Sequence, residues 1–374
     1  MSGGDVLPEK SNAGPIRTLI VDDSAYLRFT LRKYLAADPG IEIVGTARNG
    51  LEALNQIERL NPDVLTLDVE MPVMDGLTTL NKIMSISPRP VVMLSSLTKE
   101  GARETIRALT LGAVDFVTKP TSKTEIEAIM DDVIAKVKMA AGARVKTSGA
   151  AVRISEQIEE VAAAGKYPTR ELESTDPVVC IGTSTGGPRA LNALIPSLSA
   201  TLQAALVIVQ HMPVGFTKSL AERLDHLSAL HVKEASQGDS LLVGQALLAP
   251  GGSHLEFRNS GLVNLTMGPT VHGVRPAVDV TLSSLASYFG NRCIAVIMTG
   301  MGRDGTNGSA LIHSAGGKVI AEDQSTCVVW GMPRSVMEAG LPDEVVGLKE
   351  MAAALESSVR AFHHNQGQST GIPG

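Results

Sequence analysis

The sequence predicts two α/β domains, each built on a doubly wound parallel sheet, joined by a linker. Three observations carry this reading. The chain has 374 residues, about twice the size of a common single domain. Short apolar strands alternate with amphipathic helical stretches from Arg17 to about Ala140, and again from Pro177 onward. Such alternation implies βαβ units around parallel strands. Between the two blocks, Ala, Gly, Ser, Lys and Glu dominate and Pro168 and Pro177 punctuate, which is the composition of a linker.

In the first block the strands read Thr18-Leu-Ile-Val21, Ile41-Glu-Ile-Val44, Val64-Leu-Thr-Leu67, Val91-Val-Met-Leu94 and Asp115-Phe-Val117. The linker is expected to hold a helix over 154–164. In the second block they read Val178-Val-Cys-Ile181, Ala205-Leu-Val-Ile-Val209, Ala246-Leu-Leu-Ala249, Cys293-Ile-Ala-Val-Ile-Met298 and Lys318-Val-Ile320. A last helix spans about Lys349–Phe362, before a polar tail from His363 expected to be disordered.

Composition narrows the function. A net charge of -6 argues against a broad nucleic-acid surface. Aromatics are only 3%, so Ala, Val, Leu, Ile and Met must build the core. Cys180, Cys293 and Cys327 are odd in number and widely spaced, unlike a disulfide framework or a zinc site. No apolar run approaches the roughly 20 residues of a membrane span, and the first fifteen residues lack a signal-peptide core. A cytoplasmic protein without direct membrane insertion is expected.

Four predicted strand ends in the first block carry polar chemistry. Asp22 and Asp23 follow the first strand, Asp68 the third, Ser95 the fourth and Lys119 the fifth. In a doubly wound sheet these ends converge on one crevice. Three carboxylates there repel one another unless a hard cation sits among them, and Mg²⁺ suits carboxylate oxygens plus water. Lys119 offers a point charge for a phosphoryl oxygen, and Ser95 a hydrogen bond to it. The chemistry this suits is phosphoryl transfer onto an Asp. Asp23 alone could simply cap the helix Ala25–Ala37; five such residues at strand ends make capping an insufficient account.

Val21-Asp-Asp-Ser24, Leu67-Asp-Val-Glu-Met-Pro-Val-Met-Asp-Gly76, Leu94-Ser-Ser96 and Thr118-Lys-Pro120 resemble the signatures of response-regulator receiver domains, in the same order. The resemblance implies a flavodoxin-like fold with Asp68 as phospho-acceptor. It also implies Mg²⁺ held by Asp22, Asp23 and Asp68, with the Glu70 carbonyl as a further ligand. Ser95, Phe116 and Lys119 take the switch positions, Phe116 standing where many receivers have Tyr. A cis bond before Pro120 is typical of the family.

The second block carries Gly182-Thr-Ser-Thr-Gly186 between a strand and a helix. It fits G-x-S-x-G, a turn that raises a serine hydroxyl above a sheet. A phosphate loop is the bland alternative, but G-x-G-x-x-G fails at Ser184 and no Lys follows Gly187. The general base should be a histidine at a neighbouring strand end. His211 directly follows the strand ending at Gln210; His254 and His272, in Gly-rich loops, are rivals. The orienting carboxylate is Asp304 in Thr299-Gly-Met-Gly-Arg-Asp-Gly305, or its competitor Asp279, which could instead be salt-bridged to Arg275.

Ile181-Gly-Thr-Ser-Thr-Gly-Gly-Pro188, Gln210-His-Met-Pro-Val-Gly-Phe216, Ala249-Pro-Gly-Gly252, Arg275-Pro-Ala-Val-Asp279, Thr299-Gly-Met-Gly-Arg-Asp-Gly305 and Val329-Trp-Gly-Met-Pro333 resemble the catalytic domain of the chemotaxis receptor methylesterases, the CheB family. This implies Ser184 as nucleophile, His211 as base and Asp304 as orienter in a Rossmann-like domain. The chemistry of such a triad calls for backbone N–H groups at the oxyanion, for which Thr185 or Met301 is expected. It implies hydrolysis of glutamate γ-methyl esters and deamidation of glutamines on chemoreceptor cytoplasmic helices, needing no metal. A chemotaxis histidine kinase would donate the phosphoryl group. The implied layout is an N-terminal extension at 1–15, a receiver at 16–135, a linker at 136–176, a catalytic domain at 177–362 and a tail at 363–374. A DNA-binding output domain and a dinucleotide-binding module are the competing readings, and neither explains Ser184, His211 and Asp304 together.

Overall fold

The computed structural model describes residues 14–120, 126–145, 166, 168–258 and 261–369. The first domain places β1 (Ile16–Val21), β2 (Ile41–Ala47), β3 (Val64–Asp68), β4 (Val91–Ser95) and β5 (Asp115–Thr118) in one parallel sheet, ordered β2-β1-β3-β4-β5. Helices α1 (Ala25–Leu35), α2 (Gly50–Leu60), α3 (Gly76–Ile86), α4 (Lys99–Leu111) and α5 (Ile126–Ala141) connect or follow the strands. The first four start where the sequence supplies a cap: the side chains of Ser24, Asn49, Asp75 and Thr98 each accept a first-turn backbone N–H, which satisfies donors that the helix itself leaves orphaned. Both faces of the sheet are buried. Alternate residues of β1 point to opposite sides, Leu19 and Val21 into one apolar cluster and Ile20 into the other.

The second domain opens with β6 (Arg170–Glu171), β7 (Val178–Thr183), α6 (Gly187–Leu194), β8 (Ala205–Gln210), α7 (Phe216–Leu227) and β9 (His231–Glu234). It continues through β10 (Leu242–Val243), β11 (Gln245–Leu248), β12 (His254–Arg258), β13 (Leu262–Thr266), α8 (Val278–Phe289) and β14 (Cys293–Ile297). It closes with α9 (Thr306–Ser314), β15 (Lys318–Glu322), α10 (Met332–Glu338), β16 (Glu344–Val346) and α11 (Met351–Ser369). Seven parallel strands are ordered β16-β15-β14-β7-β8-β11-β9. Strand order reverses between β7 and β14, and that switch point opens a crevice beyond the strand ends.

Several local expectations change. The last helix continues to Ser369, so residues 363–369 of the expected tail are helical. Helix α5 runs to Ala141, which gives residues 136–141 to the first domain rather than to the linker. The expected linker helix over 154–164 lies outside the described residues. Two small antiparallel pairs, β6 with β10 and β12 with β13, form separate two-stranded sheets, and the edge strands β9 and β16 were not anticipated. Among the described residues the cis peptide bond is Arg275–Pro276, not the bond before Pro120.

The two domains share a core. One apolar cluster includes Met93, Ala102, Ile106 and Phe116 of the first domain together with Phe216, Leu220 and Ile208 of the second. Helix α4 packs on α6 and α7. The Phe116 and Phe216 rings meet with centroids 4.5 Å apart. After α5 the chain is pinned to the second domain, where the Arg144 backbone N–H donates to the Val328 carbonyl and Arg144 Nη1 to the Gln324 carbonyl.

Candidate functional site

The first crevice brings together Asp22, Asp23, Asp68 and Lys119 of the expected strand-end residues. Carboxylate oxygens of Asp22, Asp23 and Asp68 lie within 4.8 Å of one another. Asp22 and Asp68 are buried while Asp23 is exposed. Lys119 Nζ reaches Asp68 Oδ2 at 2.5 Å and Asp22 Oδ2 at 3.2 Å. Both oxygens are ion-paired with that ammonium yet lack a well-angled hydrogen bond. Burial, then the neighbouring Asp22 charge, pushes the Asp68 carboxyl up to about 7. Burial would depress the Lys119 ammonium, but Asp68 and Asp22 outweigh it and hold it above the ordinary lysine range. Crowded, under-bonded carboxylates of this kind fit a hard divalent cation with oxygen preference. Ser95 is fully buried and faces α4: its hydroxyl donates to the Gly101 carbonyl at 3.2 Å and accepts from the Thr105 hydroxyl at 2.5 Å.

The second crevice is a pocket of about 460 Å³ at the switch point. Ser184 enters it from the turn after β7, His211 from the end of β8, and Asp304 from the loop after β14. The turn needs glycine at Gly186, whose φ is +79°, a backbone conformation costly for residues with a Cβ. Gly300 must also lack a side chain, because a Cβ there would sit 2.7 Å from Ser184 Cβ. Gln210 Nε2 donates to the Ser184 carbonyl at 2.9 Å, and its Oε1 accepts from the Thr183 hydroxyl at 2.7 Å.

His211 Nε2 and Asp304 Oδ2 lie 2.7 Å apart. Asp304 Oδ2 also accepts from Val278 N–H at 2.6 Å, and Oδ1 from Asp279 and Gly305 N–H at 2.9 and 3.0 Å. Two of these donors belong to the first turn of α8, where the helix dipole favours a negative charge. Burial alone would raise the Asp304 carboxyl; His211 and the N–H donors of Asp279 and Val278 reverse that and hold it below the ordinary range. An ionised Asp304 accepts from His211 Nε2–H, so that Nδ1 is the nitrogen with a lone pair when the ring is neutral.

The rival residues have other partners. His254 is buried at the start of β12, its Nε2 on the Pro269 carbonyl and its Nδ1 accepting from Ala277 N–H. Asp279 is not paired with Arg275: it holds His272 Nε2 at 2.9 Å and accepts from Gly308 N–H at 2.7 Å. Arg275 donates instead to the Met267 and Gly268 carbonyls. Sequence reasoning missed Gln210, whose side chain spans Thr183 and Ser184 of the neighbouring strand end; a polar residue closing an apolar strand was the available signal.

The pocket is not formed by the second domain alone. Asp115, Phe116, Asp132 and Lys136 of the first domain line it opposite Ser184 and Met301. The Thr185 hydroxyl donates to Asp115 Oδ2 at 2.5 Å. Lys136 Nζ donates to the Phe116 carbonyl, pairs with Asp132 at 3.2 Å and approaches Asp115 at 3.6 Å.

Family models match both parts of the chain, the response regulator receiver domain over residues 18–131 and the CheB methylesterase over residues 179–355. The protein-glutamate methylesterase/protein-glutamine glutaminase of Symbiobacterium thermophilum is 49% identical over 352 residues, covering 92% of this chain and 97% of its own length. The chain belongs to this family. A relative of the same description from Geobacillus kaustophilus is 48% identical over 346 residues, covering 91% of this chain and 97% of the relative. Among solved structures, the Thermotoga maritima CheB methylesterase catalytic domain is 48% identical, covering 49% of this chain and 98% of that one with a TM-score of 0.48. The response regulator domain of Thermotoga maritima CheB is 42% identical, covering 35% and 98% with a TM-score of 0.33. Among the described residues, no helix is long and apolar enough to cross a membrane.

Proposed function

We propose that the chain is a phosphorylation-regulated serine hydrolase that removes γ-methyl esters from glutamates, and deamidates particular glutamines, on chemoreceptor helices. The observation that carries this reading is the His211–Asp304 pair at 2.7 Å in the same pocket as Ser184. Family membership supplies the substrate class.

In this mechanism His211 Nδ1 takes the Ser184 proton as Oγ attacks the ester carbonyl. Asp304 keeps the ring oriented and stabilises the imidazolium. The tetrahedral oxyanion is held by the backbone N–H groups of Thr185 or Met301. Both residues line the pocket, and neither N–H has an acceptor among the described residues, which is what a preorganised oxyanion site requires. His211 returns its proton to the leaving methoxide or amine, and methanol or ammonia departs. Water, activated by the same base, then hydrolyses the acyl-serine to glutamate.

In the receiver, Asp22, Asp23 and Asp68 would hold Mg²⁺, which when bound neutralises charge on an incoming phosphoryl group. Asp68 accepts the group from a histidine kinase, and Lys119 is placed to contact its oxygens. Before phosphorylation the receiver covers the Ser184 pocket with Asp115, Phe116 and Lys136. Phosphorylation draws Ser95 away from Gly101 and Thr105 toward the new anion. It thereby frees Phe116 to leave the Phe216 ring and loosens the cover.

Two experiments test this reading. A small phosphodonor with Mg²⁺ should place a base-labile acyl phosphate on wild type and not on Asp68→Asn. Phosphorylated wild type should release methanol from methylated receptor membranes faster than the unphosphorylated chain. Equal rates in the two states would refute the regulatory part.

A further inference from the structure

Glu322 ends β15 with a carboxylate that is fully buried. Among the described residues it has no cationic partner within ion-pair distance. Burying such a group is costly unless it is bonded and used. Its Oε2 accepts from Thr299 N–H at 2.9 Å, and its Oε1 from the Thr326 hydroxyl at 3.0 Å. Thr299 in turn braces the nucleophile turn at two points. Its carbonyl accepts from Ser184 N–H at 3.0 Å, and its hydroxyl donates to the Thr185 carbonyl at 3.0 Å. The next residue, Gly300, lies directly against Ser184.

We propose that Glu322 is a positioning residue: through the Thr299 peptide it sets the backbone of Ser184 and Thr185, and with it the register of the Met301 loop. The proposal rests on the reading of Ser184 as nucleophile. Glu322 touches no substrate atom and acts only through Thr299. What the geometry demands is an acceptor at this reach, not a negative charge. Burial pushes the Glu322 carboxyl above the ordinary glutamate range, against the hydrogen bonds from Thr299 and Thr326, and a neutral acceptor serves Thr299 N–H equally well.

The test separates reach from charge in the full chain, phosphorylated in every case. Glu322→Gln keeps an acceptor at the same reach and loses the charge; Glu322→Asp keeps the charge and falls short by one methylene. Methanol release from methylated receptor membranes gives kcat and KM, and thermal unfolding reports the folded fraction. A misplacement of about 1 Å at a catalytic group costs up to about 100-fold in rate. Glu322→Asp should therefore lose about 10- to 100-fold in kcat with KM within about twofold, while remaining folded at the assay temperature. Glu322→Gln should stay within about threefold of wild type. The proposal is overturned if Asp matches wild type, if Gln is as impaired as Asp, or if the loss merely follows the folded fraction. Ser184→Ala, run alongside, isolates the underlying reading: activity in that variant would remove the nucleophile itself, whereas an inactive Ser184→Ala with a fully active Glu322→Asp removes only the role of Glu322.

Discussion

Removing the Asp115 carboxylate should open the catalytic pocket without phosphorylation. Asp115 belongs to the receiver, its side chain is only 14% exposed, and its Oδ2 accepts the Thr185 hydroxyl beside Ser184 at 2.5 Å. In Asp115→Ala that bond is lost, while Lys136 keeps Asp132 and the Phe116 carbonyl, so no cation is stranded. A hydrogen bond to a charged group contributes about 1.5–3 kcal/mol. At about 1.4 kcal/mol per tenfold, the closed form should lose roughly 10- to 100-fold in relative population, because the Thr185 bond exists only in that form, whereas the bond from Phe116 N–H and the approach of Lys136 lie within the receiver and are lost from both forms alike. Unphosphorylated Asp115→Ala should therefore release methanol from methylated receptor membranes about 10- to 100-fold faster than wild type, up to the rate of the open enzyme. After phosphorylation the two proteins should turn over alike. An unphosphorylated rate within about twofold of wild type, in a folded protein, would refute the idea that this contact holds the cover down.

His211→Ala and Asp304→Asn should each lose about 10³–10⁶ in rate, and the double variant should lose no more than the worse single one, because the groups act as a unit. Larger losses in His254→Ala or Asp279→Asn would reassign the base or its orienter. Chelation of divalent cations, or Asp23→Asn, should suppress phosphorylation of Asp68 by a small phosphodonor, as read by radiolabel incorporation; labelling that survives chelation contradicts the metal site. A fragment spanning 177–374 should hydrolyse methylated receptor faster than the unphosphorylated whole chain, and a fragment that is no faster would make the receiver an activator or docking module.

Much of the fold was legible because strand–helix alternation and buried strands leave strong local signals. Residues at the ends of single strands were legible too: Asp22, Asp68, Ser184 and His211 each follow an apolar run, and parallel topology forces such ends together. Edge strands were harder, since His231–Glu234 and Glu344–Val346 are short, each opening on a polar residue, and owe their form to pairing with β11 and β15. The choice between Asp304 and Asp279 was open in the sequence because both lie near glycine or proline loops. Packing at the start of α8 gives the two different partners: Asp279 supplies a backbone N–H to Asp304 and gives its own carboxylate to His272, while Asp304 meets His211. The burial of Phe116 against Phe216 was invisible for the same reason, being a contact between two domains and between residues 100 positions apart.

The proposed function stands or falls on ester hydrolysis by Ser184 at receptor glutamates. The direct measurement is methanol release from methylated receptor membranes by the phosphorylated whole chain, with wild type compared to Ser184→Ala. Sustained release by wild type, and none above background from a Ser184→Ala protein that still folds and still phosphorylates Asp68, is the predicted result. Release by Ser184→Ala at a rate near that of wild type would contradict it.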